Sequence, residues 1–237
     1  MVIDKGRLFV GFLIVLFFVL SYLILLDNLI LLIISTFVIF ELHKCKFINS
    51  IFDYIILTLF ILIFPFVINK SEIINILNIF FTLLVLIIIF FPNYFLKNFF
   101  VITVYIFLYN FFSISNFDRD LMYFTIFIAF FNDTIAYIFG KSLKGPLIVP
   151  QVSPNKTWNG TLISFILTTL LIFKLEFSIF ISCLLSISLF CGDIFFSYIK
   201  RKNNLKDFSN FLRGHGGFLD RIDSMYFFLI IVSFISR

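Results

Sequence analysis

The chain alternates between long apolar stretches and short polar connections over its whole length. Runs of about 20 apolar residues are long enough to cross roughly 30 Å of hydrocarbon as α-helices. In lipid, backbone polar groups must bond within the segment, which favours helices over open strands. The pattern therefore predicts an all-α, polytopic integral membrane protein. Nine apolar segments are predicted: Leu8–Leu26, Leu29–Phe40, Phe47–Ile68, Ile73–Phe91, Phe99–Phe117, Leu121–Phe139, Gly160–Phe173, Phe177–Ile199 and Ser224–Ile235.

Composition excludes a soluble domain and gives no sign of a second domain. Hydrophobic residues make up 62% of the chain and charged residues 13%, against roughly 25% charged in globular domains. No internal repeat or linker interrupts residues 1–237, so we expect a single membrane domain. Within it, we expect residues 1–120 to form the N-terminal helices and residues 121–237 to form the helices and loops that carry most of the polar motifs. No cleavage site follows the first apolar run, which indicates an uncleaved first helix.

Lys and Arg are distributed unequally between alternate connections, which predicts orientation because cytoplasmic loops carry the excess. Nine spans with a cytoplasmic N-terminus divide the cations 14 against 4. The two polar loops, 140–160 and 200–223, then face the cytoplasm, and the membrane is expected to be a bacterial inner membrane. The outer four are Lys70, Arg119, Lys174 and Arg237. The inner fourteen are Lys5, Arg7, Lys44, Lys46, Lys97, Lys141, Lys144, Lys156, Lys200, Arg201, Lys202, Lys206, Arg213 and Arg221.

Two aspartates fall inside apolar spans at matching depth. Asp133 precedes Gly140 by seven residues and Asp193 precedes Lys200 by seven, so both lie about 10 Å from the cytoplasmic end. Acids within spans are costly and usually face a polar cavity, which favours a shared site. Asp193 with Asp220 forms a candidate Mg²⁺ pair, because this ion takes one or two carboxylates plus substrate phosphates. Ion pairs with Lys200 or Arg221 are an equal alternative.

The polar stretch from Lys200 to Asp223 contains more charged residues and glycines than a connector between helices requires. Its cations could clamp phosphate or could only signal topology, but the interleaved acids have no part in a topology signal. Three glycines around His215 allow backbone N–H groups to approach a phosphate closely. In the earlier loop from Gly140 to Gly160, the run Ser153–Thr157 precedes a helix start, where anions are favoured.

These residues together resemble the phosphatidate cytidylyltransferases, also called CDP-diacylglycerol synthases. The family signature S-x-x-K-R-x(4)-K-D, followed by H-G-G-x-x-D-R-x-D, is matched over some 27 residues from Ser197 to Asp223. Asn132-Asp133, Ser153-Pro154, Lys156-Thr157 and Gly192-Asp193 also resemble family elements. The chain departs from the family at Arg213, Asn155 and Asn159, where Pro, Lys and Glu are usual.

The resemblance implies Mg²⁺-dependent transfer of CMP from CTP to phosphatidate, giving CDP-diacylglycerol and pyrophosphate. It implies that Asp193 and Asp220 bind the metal; a second cation and a homodimer remain open, and no nucleic-acid partner is expected beside CTP, phosphatidate and membrane lipids. The expected catalytic residues are Asp193, Asp220, Lys200, Arg201, His215 and Arg221. The expected substrate-binding residues are Asn132, Asp133, Lys156, Thr157, Ser197, Lys206, Asp207, Gly216, Gly217 and Asp223.

Two alternatives remain open at this stage. A related membrane cytidylyltransferase or a lipid kinase would use the same anionic chemistry on another lipid, since the walls that select the lipid tail cannot be identified from the sequence. An ion-coupled transporter also carries acids within its spans. A transporter is expected to hold them near the bilayer midplane, whereas these acids cluster in the cytoplasmic third.

Overall fold

The computed structural model describes residues 16–24, 27–47, 118–209 and 216–235, with positions 100, 101, 103, 104, 106–108, 110, 111 and 114. The chain divides into two compact units. Unit 1 comprises Met1–Tyr123 and Asp207–Asp220, and unit 2 comprises Phe124–Lys206 and Arg221–Arg237. Most of the third predicted segment and all of the fourth lie outside the described residues.

The described part of the chain is mostly helical, as the apolar pattern predicts. Residues 16–24 are helical, as are the described positions between 100 and 114. The remaining helices are α1 (Asp27–Lys44), α2 (Arg119–Leu143), α3 (Trp158–Phe173), α4 (Ile179–Lys202), α5 (Leu219–Ile222) and α6 (Met225–Ile235). Among the described residues, α2 and α4 are long and apolar enough to cross a membrane.

A small β-hairpin corrects the all-α prediction. Strands β1 (Leu147–Val149) and β2 (Ser153–Thr157) pair antiparallel inside the loop that separates α2 from α3. Leu147 lies opposite Thr157 and Val149 opposite Ser153, with a bulge between the two pairs. A polar loop outside lipid still needs partners for its backbone groups, and strand pairing supplies them. The hairpin is too short for residue alternation to reveal it.

Helices extend beyond the predicted apolar segments because polar residues continue or cap them. The predicted segment Leu121–Phe139 is the middle of α2, whose first turn is capped when the Asp118 carboxylate accepts a bond from the amide of Leu121 (3.0 Å). Helix α4 begins after Ser178, whose hydroxyl accepts a bond from the amide of Ile181 (3.3 Å). The basic last turn of α4 complements the negative end of the helix dipole.

Unit 2 is built around α4, which packs against both α3 and α6. Between α3 and α4, Thr168 and Thr169 donate hydrogen bonds to the hydroxyl of Ser186 at 3.1 and 3.0 Å. Small hydroxyl residues allow such helices to approach closely within an apolar environment. Helix α3 crosses α2 at Gly160, where an added Cβ would lie 2.5 Å from the carbonyl oxygen of Ala136.

Unit 1 joins α1 to the segment from Asp207 to Asp220. The ring of Phe208 stacks on Phe100 with centroids 5.6 Å apart, and Phe47 packs against both rings. Further along α1, the ring of Phe37 stacks on Phe218 at 5.7 Å. These apolar contacts bring the end of α1 against residues that lie more than 160 positions later in the chain.

Candidate active site

One face of α4 carries three polar side chains of the matched motif. Asp193, Ser197 and Lys200 are spaced four and three residues apart, which places them on one side of an α-helix. The hydroxyl of Ser197 donates to Asp193 Oδ1 at 3.3 Å. This bond orients the carboxylate without neutralising it.

Lys156 on β2 reaches the same carboxylate. Its Nζ forms an ion pair with Asp193 Oδ2, and the two side chains are 21% and 22% exposed. The ammonium also lies 5.2 Å from the ring centroid of Phe190. A cation held between a carboxylate and an aromatic face, with part of its surface open, can also accept an anionic ligand.

Asp133 on α2 joins this group from the other side. Ser224 Oγ donates to Asp133 Oδ2 at 3.5 Å, and Asp133 lies within electrostatic range of Asp193, Lys156 and Arg221. The predicted convergence of Asp133 and Asp193 is therefore found within unit 2. Two carboxylates and a lysine within electrostatic range of one another form the acidic cluster (Asp133, Lys156, Asp193).

A second ion pair lies deeper in unit 2. Lys200 Nζ is 3.8 Å from Asp223 Oδ2, and both residues are buried, at 7% and 4% exposure. The other oxygen of Asp223 accepts a bond from the amide of Ser224 (2.8 Å). Buried charges require such partners, since removing one leaves the other uncompensated. Lys200 thus forms a structural pair with Asp223, whereas the sequence offered it as an ion-pair partner for Asp193 or Asp220.

Several predicted site residues make structural contacts with the backbone. Arg201 Nε donates to the carbonyl oxygen of Val152 (3.1 Å) and its Nη1 to that of Leu205 (2.9 Å), joining the hairpin turn to the end of α4. Thr157 caps α3 by accepting a bond from the amide of Gly160 (3.3 Å). These contacts add structural roles to the catalytic role predicted for Arg201 and the substrate contact predicted for Thr157, and both of those stay predictions.

The unusual residue Asn159 also has a structural explanation. Its amide Nδ2 donates to the carbonyl oxygen of Lys144 at 2.8 Å. Gly145 adopts φ +129°, and a Cβ there would lie 2.7 Å from the same Nδ2. Asn159 therefore closes the loop that leads into β1, a function for which Glu lacks the donor group.

An apolar cavity of about 200 Å³ lies beside the acidic cluster. Its lining includes Asn132, Trp158, Phe165, Ile187 and Phe190. Phe190 also contacts Lys156, and Asn132 immediately precedes Asp133, so the cavity adjoins the cluster at two points. Of the predicted substrate residues, Asn132 is thus placed at this cavity.

Asp220 of unit 1 orients its own loop. Its Oδ2 accepts hydrogen bonds from the amides of Phe208 (3.0 Å) and Gly217 (2.8 Å). Gly216 adopts φ +78°, a left-handed conformation that favours glycine, with the Asp220 carboxylate 3.0 Å from where a Cβ would lie. The glycines therefore shape the approach to Asp220, in addition to any contact with phosphate.

The remaining predicted site residues are more exposed to solvent or lie outside the described part of the chain. Lys206 is exposed and Asp207 half-buried. His215 and Arg213 lie outside the described residues, so the prediction for His215 is not tested. Asp193 belongs to unit 2 and Asp220 to unit 1, and their sharing of a metal ion stays a prediction.

The donor chemistry of the acidic cluster fits a hard divalent cation. The Asp193 side chain is 22% exposed and Asp133 is a half-buried residue nearby, and Mg²⁺ prefers one or two carboxylate ligands with waters or phosphates. Within the described ranges, three or more His, Cys, Asp or Glu side chains nowhere form a preassembled metal cage. A fully protein-ligated metal is thus not the arrangement that the described residues offer.

Glu41 is a buried acid beside the predicted site loop that the sequence did not single out. It lies three residues before the end of α1, is fully buried, and accepts hydrogen bonds from the segment that carries Asp220. The predicted span Leu29–Phe40 stopped one residue before it. An acid adjoining an apolar span was the available signal.

A protein-family model and several curated proteins match this chain. The model of the "Cytidylyltransferase family" matches residues 5–237. The chain is 34% identical over 160 residues to a phosphatidate cytidylyltransferase of Rickettsia felis, covering 60% of the chain and 70% of that relative. It is 41% identical over 121 residues to one of Rickettsia bellii (44% and 52% covered) and 34% over 138 residues to one of Bacillus subtilis (53% and 51%). The matched segments span between about half and 70% of these relatives.

Proposed function

The chain belongs to the cytidylyltransferase family, and from this premise we propose that it transfers CMP from CTP to phosphatidate, producing CDP-diacylglycerol and pyrophosphate. The observation that carries the proposal is the acidic cluster, in which Asp133, Lys156 and Asp193 come together from α2, β2 and α4. The relatives' names supply the substrates, and the cluster supplies charges of both signs suited to phosphate groups.

The reaction needs no nucleophilic side chain. An oxygen of the lipid phosphate attacks the α-phosphorus of CTP, forming one P–O bond. The bond from that phosphorus to the bridging oxygen of the β-phosphate breaks, and pyrophosphate leaves with the electron pair. Catalysis of this kind depends on positioning and on stabilising the charge at the transferring phosphoryl group. Lys156 is the accessible cation of the cluster, and its exposed part is suited to bind a phosphate oxygen.

Mg²⁺ is part of this proposal, with Asp193 and Asp220 as its carboxylate ligands and Asp133 as a neighbouring acid. When bound, the ion would neutralise the repulsion between two anionic substrates and stabilise charge on the transferring group. Ser197 holds one oxygen of Asp193 in place, while the buried pair of Lys200 and Asp223 secures the inner end of α4. Arg201 and Arg221 remain candidates for contact with phosphate.

The proposed setting is a bacterial inner membrane crossed nine times, with the N-terminus and the site in the cytoplasm. The two long apolar helices and the excess of cations in alternate connections support this arrangement. The apolar cavity beside the cluster suits the hydrocarbon part of a lipid, because transferring apolar surface from water is favourable.

Labelled CTP tests this function directly. Protein purified in detergent is incubated with phosphatidate, Mg²⁺ and CTP labelled on either the α- or the γ-phosphate. We expect the α-label in a lipid product, the γ-label in pyrophosphate, and no product with EDTA. Transfer of the γ-label to lipid would instead establish a kinase. Absence of both products would overturn the proposal.

Variants of the cluster locate the chemistry. Asp193→Asn keeps the shape of the side chain and removes its charge, so we expect the turnover number to fall at least ~100-fold, as for loss of a group that stabilises developing charge. Glu176→Gln is the matched control, because Glu176 is an exposed acid on the connection between α3 and α4. Turnover of Asp193→Asn close to that of Glu176→Gln would refute the role of Asp193.

A further inference from the structure

The buried carboxylate of Glu41 accepts three hydrogen bonds in unit 1. Its Oε1 accepts hydrogen bonds from the hydroxyl of Ser209 (2.5 Å) and the amide of Phe218 (2.6 Å), and its Oε2 from the amide of Leu219 (2.7 Å). The side chain is 0% exposed. Burying a carboxylate is unfavourable unless donors compensate it, and here three donors do so. Packing a helix against a loop does not by itself require a buried carboxylate in α1.

The contacts of α1 reach the chain on both sides of residues 210–215. On one side, Cys45 Sγ donates to the carbonyl oxygen of Phe208 (2.8 Å), next to Ser209. On the other side, Glu41 binds the amides of Phe218 and Leu219, and Phe37 stacks on the Phe218 ring. The two sides are thereby tied to the same helix end.

Asp220 lies next to a residue that Glu41 binds. It immediately follows Leu219, whose amide Glu41 binds, and its carboxylate accepts bonds from the amides of Phe208 and Gly217. Asp220 thus bonds to Phe208 and Gly217, and Glu41 bonds to the residues that follow each of them, Ser209 and Phe218. Displacing Glu41 would free the amides of Phe218 and Leu219, and with them the backbone that carries Asp220.

The surroundings of Gly217 give independent evidence that the Glu41 carboxylate packs against this segment. A Cβ at Gly217 would lie 2.5 Å from Glu41 Oε1 and 2.8 Å from Ser209 Oγ. A Cβ at this position would displace the Glu41 carboxylate or the Ser209 hydroxyl, so the second glycine of the Gly-Gly pair leaves room for both groups. The glycine therefore serves the approach of an acid from α1.

We propose that Glu41 is a positioning residue for the reaction: it anchors the segment Gly216–Asp220 and so holds Asp220 in the orientation that phosphoryl transfer requires. The proposal rests on the proposed function, in which Asp220 takes part in the site. It gives the N-terminal half of the chain a specific part in the active site, beyond supplying hydrophobic helices.

Glu41→Gln is the sharpest test because it keeps the size of the side chain. One of the two carboxylate oxygens becomes an NH₂ group, which must face at least one of the three donors, so a hydrogen bond is replaced by a donor–donor clash. We expect the turnover number to fall at least ~30-fold with Michaelis constants for CTP and phosphatidate changed less than about threefold. Hydrogen exchange at the amides of Phe218 and Leu219 should accelerate at least ~10-fold.

Two controls separate positioning from general destabilisation. Lys44→Gln alters an exposed side chain of the same helix and should change neither turnover nor exchange. Ser209→Ala removes one donor and leaves both backbone bonds, so we expect a loss of turnover below about fivefold. All variants are assayed below their thermal midpoints, so a merely structural residue would lower the midpoint and leave turnover unchanged.

The outcomes distinguish this inference from the proposed function. Folded Glu41→Gln protein with wild-type turnover, or unprotected amides at Phe218 and Leu219 in the wild type, would overturn the role of Glu41. If Glu41→Gln does not fold, protection of the Phe218 and Leu219 amides in the wild type decides the anchoring, and a loss of turnover well above fivefold in folded Ser209→Ala would contradict the role given to the two backbone bonds. A wild type without transfer activity would overturn the proposed function and the catalytic part of this inference, while the exchange measurement would still test the anchoring.

Discussion

Arg201 and Asp220 show that charged side chains of the site also build the chain around it. Arg201 donates to carbonyl oxygens of Val152 and Leu205, and Asp220 accepts from amides of Phe208 and Gly217. A sequence reveals the charge of such residues but not which backbone groups they bind. Substitutions of either residue are therefore expected to disturb local structure together with any chemistry.

Cys45 allows the surroundings of Glu41 and Asp220 to be probed chemically. Burial first, and then the Glu41 and Asp220 carboxylates, raise the pKa of this thiol to about 11. The thiolate is the reactive form, and a higher pKa means less thiolate at pH 8. We therefore expect alkylation at pH 8 to be roughly 10- to 100-fold slower in folded than in denatured protein, as followed by mass spectrometry.

The double variant Cys183→Ser/Cys191→Ser leaves Cys45 as the one cysteine of the chain, which has three. In the folded protein, its alkylation rate should keep rising up to pH 10, since the pKa lies above that value. In denatured protein the rise should level off near the ordinary pKa of a thiol. Equal rates at pH 8 in the two states would contradict the burial of Cys45.

At the scale of elements, two close approaches in unit 2 depend on glycine. Helix α3 meets α2 at Gly160, and α4 meets the connection between α5 and α6 at Gly192. A Cβ at Gly192 would lie 2.5 Å from the carbonyl oxygen of Asp223 and 2.9 Å from that of Ser224. Gly192 precedes Asp193, so this contact also affects the distance between Asp193 and Asp223, two acids of the predicted site.

Gly192→Ala should therefore impair both stability and turnover. The added methyl group meets backbone that cannot move without shifting Asp223, and overpacking of this kind costs roughly 1–3 kcal/mol. The measurement is thermal unfolding in detergent together with the transfer assay. Gly140→Ala is the matched control, because its Cβ would meet only the Thr157 hydroxyl at 3.0 Å and Gly160 Cα at 3.8 Å. Equal behaviour of the two variants would refute the close approach.

For the molecule as a whole, membership of the cytidylyltransferase family confirms the predicted family and enzyme class. The number of spans and the orientation stay predictions. Contacts within unit 1 support the arrangement. The end of α1 binds Phe208, Ser209, Phe218 and Leu219, and segments in direct contact must lie on the same side of the membrane. The predicted topology places both in the cytoplasm.

Single cysteines test the orientation. In a background with Cys45, Cys183 and Cys191 replaced by Ser, Lys174→Cys and Lys206→Cys each introduce one exposed thiol on opposite predicted faces. A membrane-impermeant maleimide should label Lys174→Cys in intact cells and Lys206→Cys only after permeabilisation. Labelling of Lys206→Cys in intact cells would show that the predicted site faces outward, and would overturn the topology.

The sequence by itself determined the class of protein, its family and most of the candidate site. Apolar runs report a lipid environment directly, because each residue's transfer free energy adds along a helix. The motif from Ser197 to Asp223 is nearly continuous, so its residues needed no long-range information to be found. The convergence of Asp133 and Asp193 also followed from equal depth in two spans.

Only the tertiary structure decided which partners these residues have. Lys156 pairs with Asp193 across 37 positions, and Glu41 binds Ser209, Phe218 and Leu219 across more than 160. Such pairs depend on how helices pack, and packing is a property of surfaces that local periodicity does not encode. The sequence pattern did not predict the hairpin between α2 and α3 for a related reason. Strands of three and five residues gain their stability from pairing with each other, not from their own sequence pattern.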